Sequence, residues 1–540
     1  MKLNKNYLLA LCSSFLMWLA WPPHTWFAPL LLIGLVPLMI ALDRIRIQQA
    51  PKTGRRIFLT AGLAFLTWNT ACIYWVFNAI SAFNTGFTGT IVSFLVSLVP
   101  YGLGALLMTF AFWLYYRLRL RVNAWVGYLG LICFYIALEY LHESWDLAFP
   151  WMTLGNGFAG MHQLAQWYEY TGVYGGSLWI LLSNILAFEA YKSWKSTEEK
   201  ALKPVLIWLA VVVLPIGFSW YTYHSYQEKK LPVNVVTVQP NIDPYQKYES
   251  ISTNEQLRIL TRLSDSVAQV NTEYFIWPET AIPNYTDEDR VRANPDFLAT
   301  QQFLNKYKNG TLITGIESVK WYDTKKTISA QESSNGMYSD HFNSAMQVEN
   351  SAQVAFYHKS KLVPGAEKMP FPKVFSFLTP VFAGLGGSVS SWGWQDEPEV
   401  FYSYSGIGVA PVICYESIWG SWVGKSVKNG AQFIAVITND GWWGNTSGKD
   451  QHMLYAKLRA IETRRWVVRS ANTGISGFIN QRGDVVKKST WWTRTAIKAD
   501  INLNDTLTPY VKSGDLIAQI AAVLGFILAL LIPFKKWVKK

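Results

Sequence analysis

The feature that most constrains this chain is a series of long apolar runs, at residues 7–21, 27–43, 57–80, 88–116, 123–142, 171–191 and 203–222, with one more from Leu516 to Pro533. Each lies close to the ~20 residues that a helix needs to cross a bilayer, so the pattern predicts about eight spans. With 540 residues, half of them hydrophobic, the chain is too long and too apolar for one ordinary soluble domain. Met1–Trp21 carries Lys2 and Lys5 before its apolar run, as a secretory leader does, but no small-residue cleavage site precedes the next run. It is therefore read as an uncleaved first span.

The charges between the runs set an orientation. Basic clusters at Arg44–Arg56, Arg117–Arg121 and Lys192–Lys203 follow the second, fourth and sixth runs, while His24-Thr25-Trp26 and Phe149-Pro150-Trp151 on the alternate loops are aromatic and poor in Lys, as expected at an outer interface. Positive loops stay inside, so the N-terminus is expected inside and residue ~230 outside. Lys535, Lys536, Lys539 and Lys540 mark an inner end after the last run. A net charge of +12 distributed in this way suits membrane topology better than a nucleic-acid groove. Paired, broken, charged spans of the kind that transporters use are not found, and Glu139 alone is thin support for ion translocation.

Three regions follow: 1–228 as an N-terminal bundle of about seven spans, 229–512 as an outer domain, and 513–540 as a last span with a basic tail. The middle region alternates strand-like runs (Val233–Val238, Tyr274–Trp277, Thr311–Ile316, Ala345–Val348, Val354–His358, Ile407–Ile413, Phe433–Thr438, Trp466–Ser470, Gly477–Ile479) with helical patterning at Thr253–Val270, Pro295–Tyr307 and His452–Arg465.

Within it, the buried run Val409–Ile413 stops at Cys414-Tyr415-Glu416. Cys12, Cys72 and Cys133 lie in apolar runs, so no disulfide framework exists and Cys414 stands alone. By itself such a cysteine is more often core than catalytic. Two further strand ends alter that balance: Glu279 follows Tyr274–Pro278, and Lys359 follows the second arm of a hairpin. Each alone is more often a surface or ion-pair group. Together, a carboxylate can accept a thiol proton, an ammonium can stabilise an oxyanion and a thiolate can attack a carbonyl.

In that order, Trp277-Pro278-Glu279, Tyr357-His358-Lys359 and Cys414-Tyr415-Glu416 resemble the Glu-Lys-Cys signature of the nitrilase superfamily, and the membrane frame resembles its apolipoprotein N-acyltransferase branch. Further matches are Val238–Ile242, Leu362-Val363-Pro364 with Glu367, Thr438–Gly444, Gln451-His452 with Leu458-Arg459-Ala460, and Ala471–Ser476. Pro364-Gly365-Ala366-Glu367 departs from the family's Pro-Phe-Gly-Glu but keeps the acid's spacing from Lys359. The resemblance covers nearly the whole chain. It implies a polytopic α-helical membrane bundle carrying an α+β nitrilase-like sandwich, with Glu279 as general base, Lys359 as oxyanion and orientation group, and Cys414 as nucleophile. Glu367, Tyr415, Glu416 and Asn439 would support them.

The implied reaction moves an acyl chain from a membrane phospholipid onto Cys414. From there it passes to the α-amine of the diacylglyceryl-modified N-terminal cysteine of an apolipoprotein, at the outer side of a bacterial inner membrane. No cofactor and no metal is required, no nucleic acid is involved, and a monomer suffices. Phe371–Leu385 is crowded with apolar residues including Phe371 and Phe375, so residues 371–387 read either as a lid dipping into lipid or as an ordinary packed insertion. Tyr248, Trp442 and Trp443 are weaker candidates for substrate contact. His358 and His452 have no third ligand at sensible spacing and read as structural. Two other readings stand beside this one: a membrane-tethered amidase that releases the acyl group to water, and a transporter or receptor whose outer domain is not catalytic.

Overall fold

The computed structural model describes residues 4–82, 86–196, 202–245, 247–248, 251–372 and 392–533. By internal contacts the chain forms two units. The first comprises Met1–Phe77, Gly86–Ser225 and Ser513–Lys540, the second Asn78–Thr85 and Tyr226–Lys512.

In the first unit every apolar run becomes helical: Lys5–Ala20, Thr25–Leu32 with Val36–Gln48, Thr53–Ile73, Gly86–Arg119, Ala124–Ser144, Tyr168–Ser196, Leu202–Ser225 and Leu516–Leu530. Among the described residues, six of these, with Thr25–Gln48 counted as one, are long and apolar enough to cross a membrane. The other two span 16 and 15 residues and fall short by length.

Backbone breaks inside an apolar bundle need internal partners, because lipid offers none. Where the helix resumes after the 3-10 segment Thr25–Leu32, Asn184 accepts from the Leu35 N–H at 2.7 Å and donates to the Leu31 carbonyl at 2.7 Å. Ser13 accepts from the Leu38 N–H at 2.8 Å. Glu139 serves the same end, its Oε1 accepting from the Leu154 N–H at 2.7 Å and so holding a loop folded into the unit. That loop corrects one expectation. Trp151 does not sit at an interface but is wholly buried, packed against Trp75 and Phe149, whereas Trp26 on the earlier loop is exposed.

The second unit holds two sheets. Its strands are β1 (Pro232–Gln239), β2 (Thr272–Ile276), β3 (Ile282–Asp287), β4 (Thr311–Tyr322), β5 (Gln331–Glu332), β6 (Tyr338–Val348), β7 (Val354–His358), β8 (Phe401–Tyr402), β9 (Gly408–Ile413), β10 (Phe433–Thr438), β11 (Val467–Ala471), β12 (Gly477–Ile479), β13 (Val485–Lys488) and β14 (Thr495–Asn502). One sheet runs β14-β1-β2-β4-β6-β5, with β3 on β4 and β7 on β6. The other runs β13-β12-β11-β10-β9-β8.

The sheets face each other through Val235, Tyr274, Ile276 and Ile313 on one side and Val409, Ile413, Phe433 and Val468 on the other. Alternate residues of the same strands point outward to helices: Val236 and Phe275 meet Leu260 and Phe303, while Val412 and Val436 meet Val427 and Ala456. Burial on both faces explains the continuous apolar runs of the central strands. β1, β2 and β4 are parallel, as are β9, β10 and β11, so in each group the carboxyl ends lie at one edge.

Candidate active site

The ends of β2, β7 and β9 carry the site. β2 is extended by Trp277, whose N–H donates to the Ile313 carbonyl at 2.9 Å, and Pro278 then turns the chain, its carbonyl taking the Gly315 N–H at 3.1 Å. A Cβ at Gly315 would lie 2.6 Å from the Glu279 Cα and 2.4 Å from the Thr280 nitrogen. Only glycine admits this approach. Thr280 follows with φ +46°. Its carbonyl and, at 2.9 Å, its hydroxyl are both bound by the buried Lys247 ammonium.

Lys359 leaves β7 with its N–H on the Asn343 carbonyl at 2.8 Å. Its side chain is almost wholly enclosed, with Nζ 3.2 Å from Glu279 Oε1 and 2.6 Å from Glu367 Oε1. Asn343 donates to Glu279 at 2.8 Å and to Glu367 at 3.5 Å, and Glu367 is fixed in turn by the Val363 N–H at 2.9 Å. Cys414 ends β9 at φ +52°, a left-handed conformation costly for any residue but glycine, and opens a short 3-10 turn, Cys414–Ile418. Glu416 braces that turn to the Lys359 loop: it accepts from the Ile413 N–H at 2.9 Å, the Ser360 N–H at 2.6 Å, the Lys361 N–H at 3.1 Å and the Tyr357 hydroxyl at 2.7 Å.

The electrostatics follow from burial and from the two carboxylates. Burial disfavours the Lys359 ammonium, but Glu279 and then Glu367 outweigh it and hold its pKa well above the usual lysine value. Burial and then the Glu279 charge push the Cys414 thiol up, against a downward pull from Lys359. The resting pair is thus a thiol beside an ammonium, and nucleophilic attack requires a base for the thiol proton. Burial lowers Lys247 to about 8, against the pull of Glu317 and Glu279.

The remaining candidates take separate places. Tyr415 is buried, its ring edge-on to Trp419 at 4.8 Å, and interacts electrostatically with Lys359, Glu367 and Cys414. Asn439, just past β10, accepts from the Thr473 hydroxyl at 3.0 Å. Tyr248 is exposed except for its hydroxyl, which donates to Glu317. Trp442 lies edge-on to Tyr245 at 5.1 Å and Trp443 edge-on to His452 at 5.2 Å, both half-buried. Phe371 is half-buried at φ +46°; Phe375 and the rest of the expected lid, from residue 373 to 387, lie outside the described residues. His358 pairs with Glu288 at 2.6 Å. Among the described residues, no three His, Cys, Asp or Glu side chains group as a metal site.

Sequence reasoning missed Asn343 and Lys247. Asn343 sits inside β6 and Lys247 in an irregular loop, and neither position carries a motif. The one available signal for Asn343 was a polar residue just before the apolar run of a strand. For Lys247 there was none.

Two family models match the chain: the apolipoprotein N-acyltransferase N-terminal domain over residues 13–186 and carbon-nitrogen hydrolase over residues 235–508. Similar curated proteins include several named apolipoprotein N-acyltransferase. That of Chlorobaculum tepidum is 29% identical over 99% of this chain and 98% of its own length. That of Geobacter metallireducens is 25% identical over 99% and 96%, and that of Wigglesworthia glossinidia brevipalpis 27% identical over 86% of each. The carbon-nitrogen hydrolase match covers the unit that holds Glu279, Lys359, Glu367 and Cys414, and the chain belongs to the carbon-nitrogen hydrolase family, joined to an apolipoprotein N-acyltransferase N-terminal domain.

Proposed function

We propose that this multi-pass membrane enzyme transfers an acyl chain from a phospholipid to the α-amine of the lipid-modified N-terminal cysteine of apolipoproteins. The observation that carries the reading is the shared ion pair: one buried ammonium, Lys359, held between Glu279 and Glu367 beside a buried thiol. Glu279 takes the thiol proton as the Cys414 sulfur attacks the ester carbonyl. Lys359 faces the oxyanion that forms. The C–O bond breaks, the proton passes to the departing oxygen, and lysophospholipid leaves a thioester on Cys414. The free amine of the acceptor then attacks the thioester; the C–N bond forms, the C–S bond breaks, and the amine proton goes to Glu279 and on to the thiol. Glu367 and Asn343 hold Lys359 and Glu279 in register through both halves.

Membrane anchoring serves this chemistry. Both substrates are lipid-borne, and a soluble enzyme extracting an acyl chain would face a cost of about 0.8 kcal/mol per exposed methylene. The alternating basic loops favour a catalytic unit on the outer side of the inner membrane, acting as a monomer. The test is intact-mass analysis of the full-length protein after incubation with phospholipid and no acceptor. A gain of one acyl chain on the wild type, removed by hydroxylamine and absent from Cys414→Ala, is expected. An unchanged mass on folded, lipid-bound protein overturns the reading.

A further inference from the structure

Beneath Cys414 lies a buried polar chain that this reaction scheme does not use. Asp440, two residues past the end of β10, is fully enclosed, with one carboxylate oxygen on Arg469. Its other oxygen takes the Thr438 hydroxyl at 2.9 Å and lies 2.9 Å from His452 Nδ1. Arg469 Nη2 also reaches His452 Nδ1, at 2.9 Å. On the far side of the ring, His452 Nε2 lies 2.8 Å from the Ser417 hydroxyl and 3.2 Å from the Cys414 carbonyl oxygen, and the Ser417 hydroxyl donates to that same carbonyl at 2.8 Å. His452, Ser417 and Asp440 are all buried. Ser, His and Asp thus stand in the order of a hydrolytic triad, yet the serine is enclosed and its hydrogen is spent on a backbone oxygen. It is no second nucleophile.

The proton positions follow from the acceptor. The Cys414 carbonyl takes the Ser417 hydroxyl at 2.8 Å, and the ring nitrogen 3.2 Å away gives it a second hydrogen bond in the tautomer that carries the proton on Nε2 and lets Nδ1 accept from Arg469. Burial, then Arg469, lower the imidazole's proton affinity against the pull of Asp440, which favours the neutral ring. The acceptor is the carbonyl of the left-handed residue that bears the thiol. An L-residue stays in that conformation only where its surroundings over-determine it.

We propose that Ser417 and His452, oriented by Asp440 and Arg469, are positioning residues for acyl transfer: their two hydrogen bonds to the Cys414 carbonyl lock the left-handed turn that aims the sulfur toward the Glu279–Lys359 pair. Thr438 extends the control to the side chain, since its hydroxyl donates to Asp440 while its side chain touches the thiol. The inference rests on Cys414 being the reacting atom.

The experiment compares full-length wild type with Ser417→Ala, His452→Leu and His452→Gln, each rate being normalised to titrated thiol and each protein checked by thermal melting. Two rates are read: acyl-enzyme formation from phospholipid, and alkylation of Cys414 by iodoacetamide. Loss of aim is expected to slow acylation by about ten- to a hundredfold in Ser417→Ala and His452→Leu, as a displacement of about 1 Å does, with donor KM changed less than about twofold. Gln at 452, whose amide reaches the same carbonyl, restores the rate to within about threefold. If His452→Leu does not fold, Ser417→Ala and His452→Gln decide the matter. Wild-type rates per thiol in Ser417→Ala overturn the proposal, as does a loss that follows melting temperature alone. Should no thioester form on the wild type, the reaction scheme fails, and alkylation rates still show whether the turn depends on the clamp.

Discussion

The two units use buried polar groups to opposite ends. In the membrane unit Asn184, Ser13 and Glu139 each answer an unpaired backbone group. In the α/β unit buried ionisable groups meet one another: Lys359 joins two carboxylates, Arg469 and His452 converge on Asp440, and Arg459 pairs with Glu462. Polar burial in the first unit repairs a broken backbone. In the second it gathers charge, part of it at the strand ends where the proposed reaction would draw on it, at the cost of desolvating several ions. The comparison teaches that a buried polar residue is judged by its partner: a backbone atom marks repair, another charge beside a strand end marks a candidate site.

Substitutions can break or sharpen this contrast. The largest effect is expected at Cys414. Replacement by Ala removes the acyl-enzyme entirely and lowers turnover by at least about 10⁴-fold, while the melting temperature stays within a few degrees; a residual thioester on mass analysis breaks the assignment. Glu279→Gln keeps the shape and removes the base, so acylation falls by roughly 10²- to 10⁴-fold, measured as single-turnover thioester formation. Gly315→Ala acts on the same group through its backbone, forcing Glu279 away, with about a tenfold to hundredfold loss of kcat and little change in KM.

Asn184→Leu tests the other unit. It orphans the Leu35 N–H and the Leu31 carbonyl and is expected to cost about 2–4 kcal/mol of stability in detergent melts, with acylation per folded molecule unchanged. A loss of catalytic rate there would erase the contrast. The smallest effect concerns acid. Burial raises the Asp440 carboxyl, but Arg469 and then His452 outweigh it and hold its pKa well below the usual range. A depressed carboxylate contributes stability that is full above its unfolded pKa of about 3.9 and is lost as pH falls toward the folded value. Melting of the wild type should therefore drop on acidification below about pH 4, and Asp440→Asn, less stable at neutral pH, should show a shallower drop.

Much of this was legible in the sequence because the signals are local. Apolar runs near bilayer length marked the long helices of the membrane unit, though not the 3-10 helices of its loop 150–164, and continuous apolar strands marked the central sheets. The edges were less visible. β14, Thr-Ala-Ile-Lys-Ala-Asp-Ile-Asn, carries Lys498 and Asp500 on an exposed face, and the helix Gly420–Lys428 is short and begins with glycine. The aromatic loop around Trp151 read as interfacial because composition cannot tell a ring in headgroups from a ring in a core.

By itself the sequence determined the division into apolar runs and a strand-rich middle, and the three strand ends that carry Glu279, Lys359 and Cys414, since hydropathy period and strand termination are written residue by residue. Only the tertiary structure decided what meets what. Lys359 reaches both Glu279 and Glu367, Asn343 reaches across from β6, and His452 closes on the carbonyl of Cys414 from 38 positions away. Apart from the Lys359–Glu367 pair, which is local, these are contacts between segments far apart in the chain, fixed by parallel pairing and sheet packing, and no local pattern encodes them.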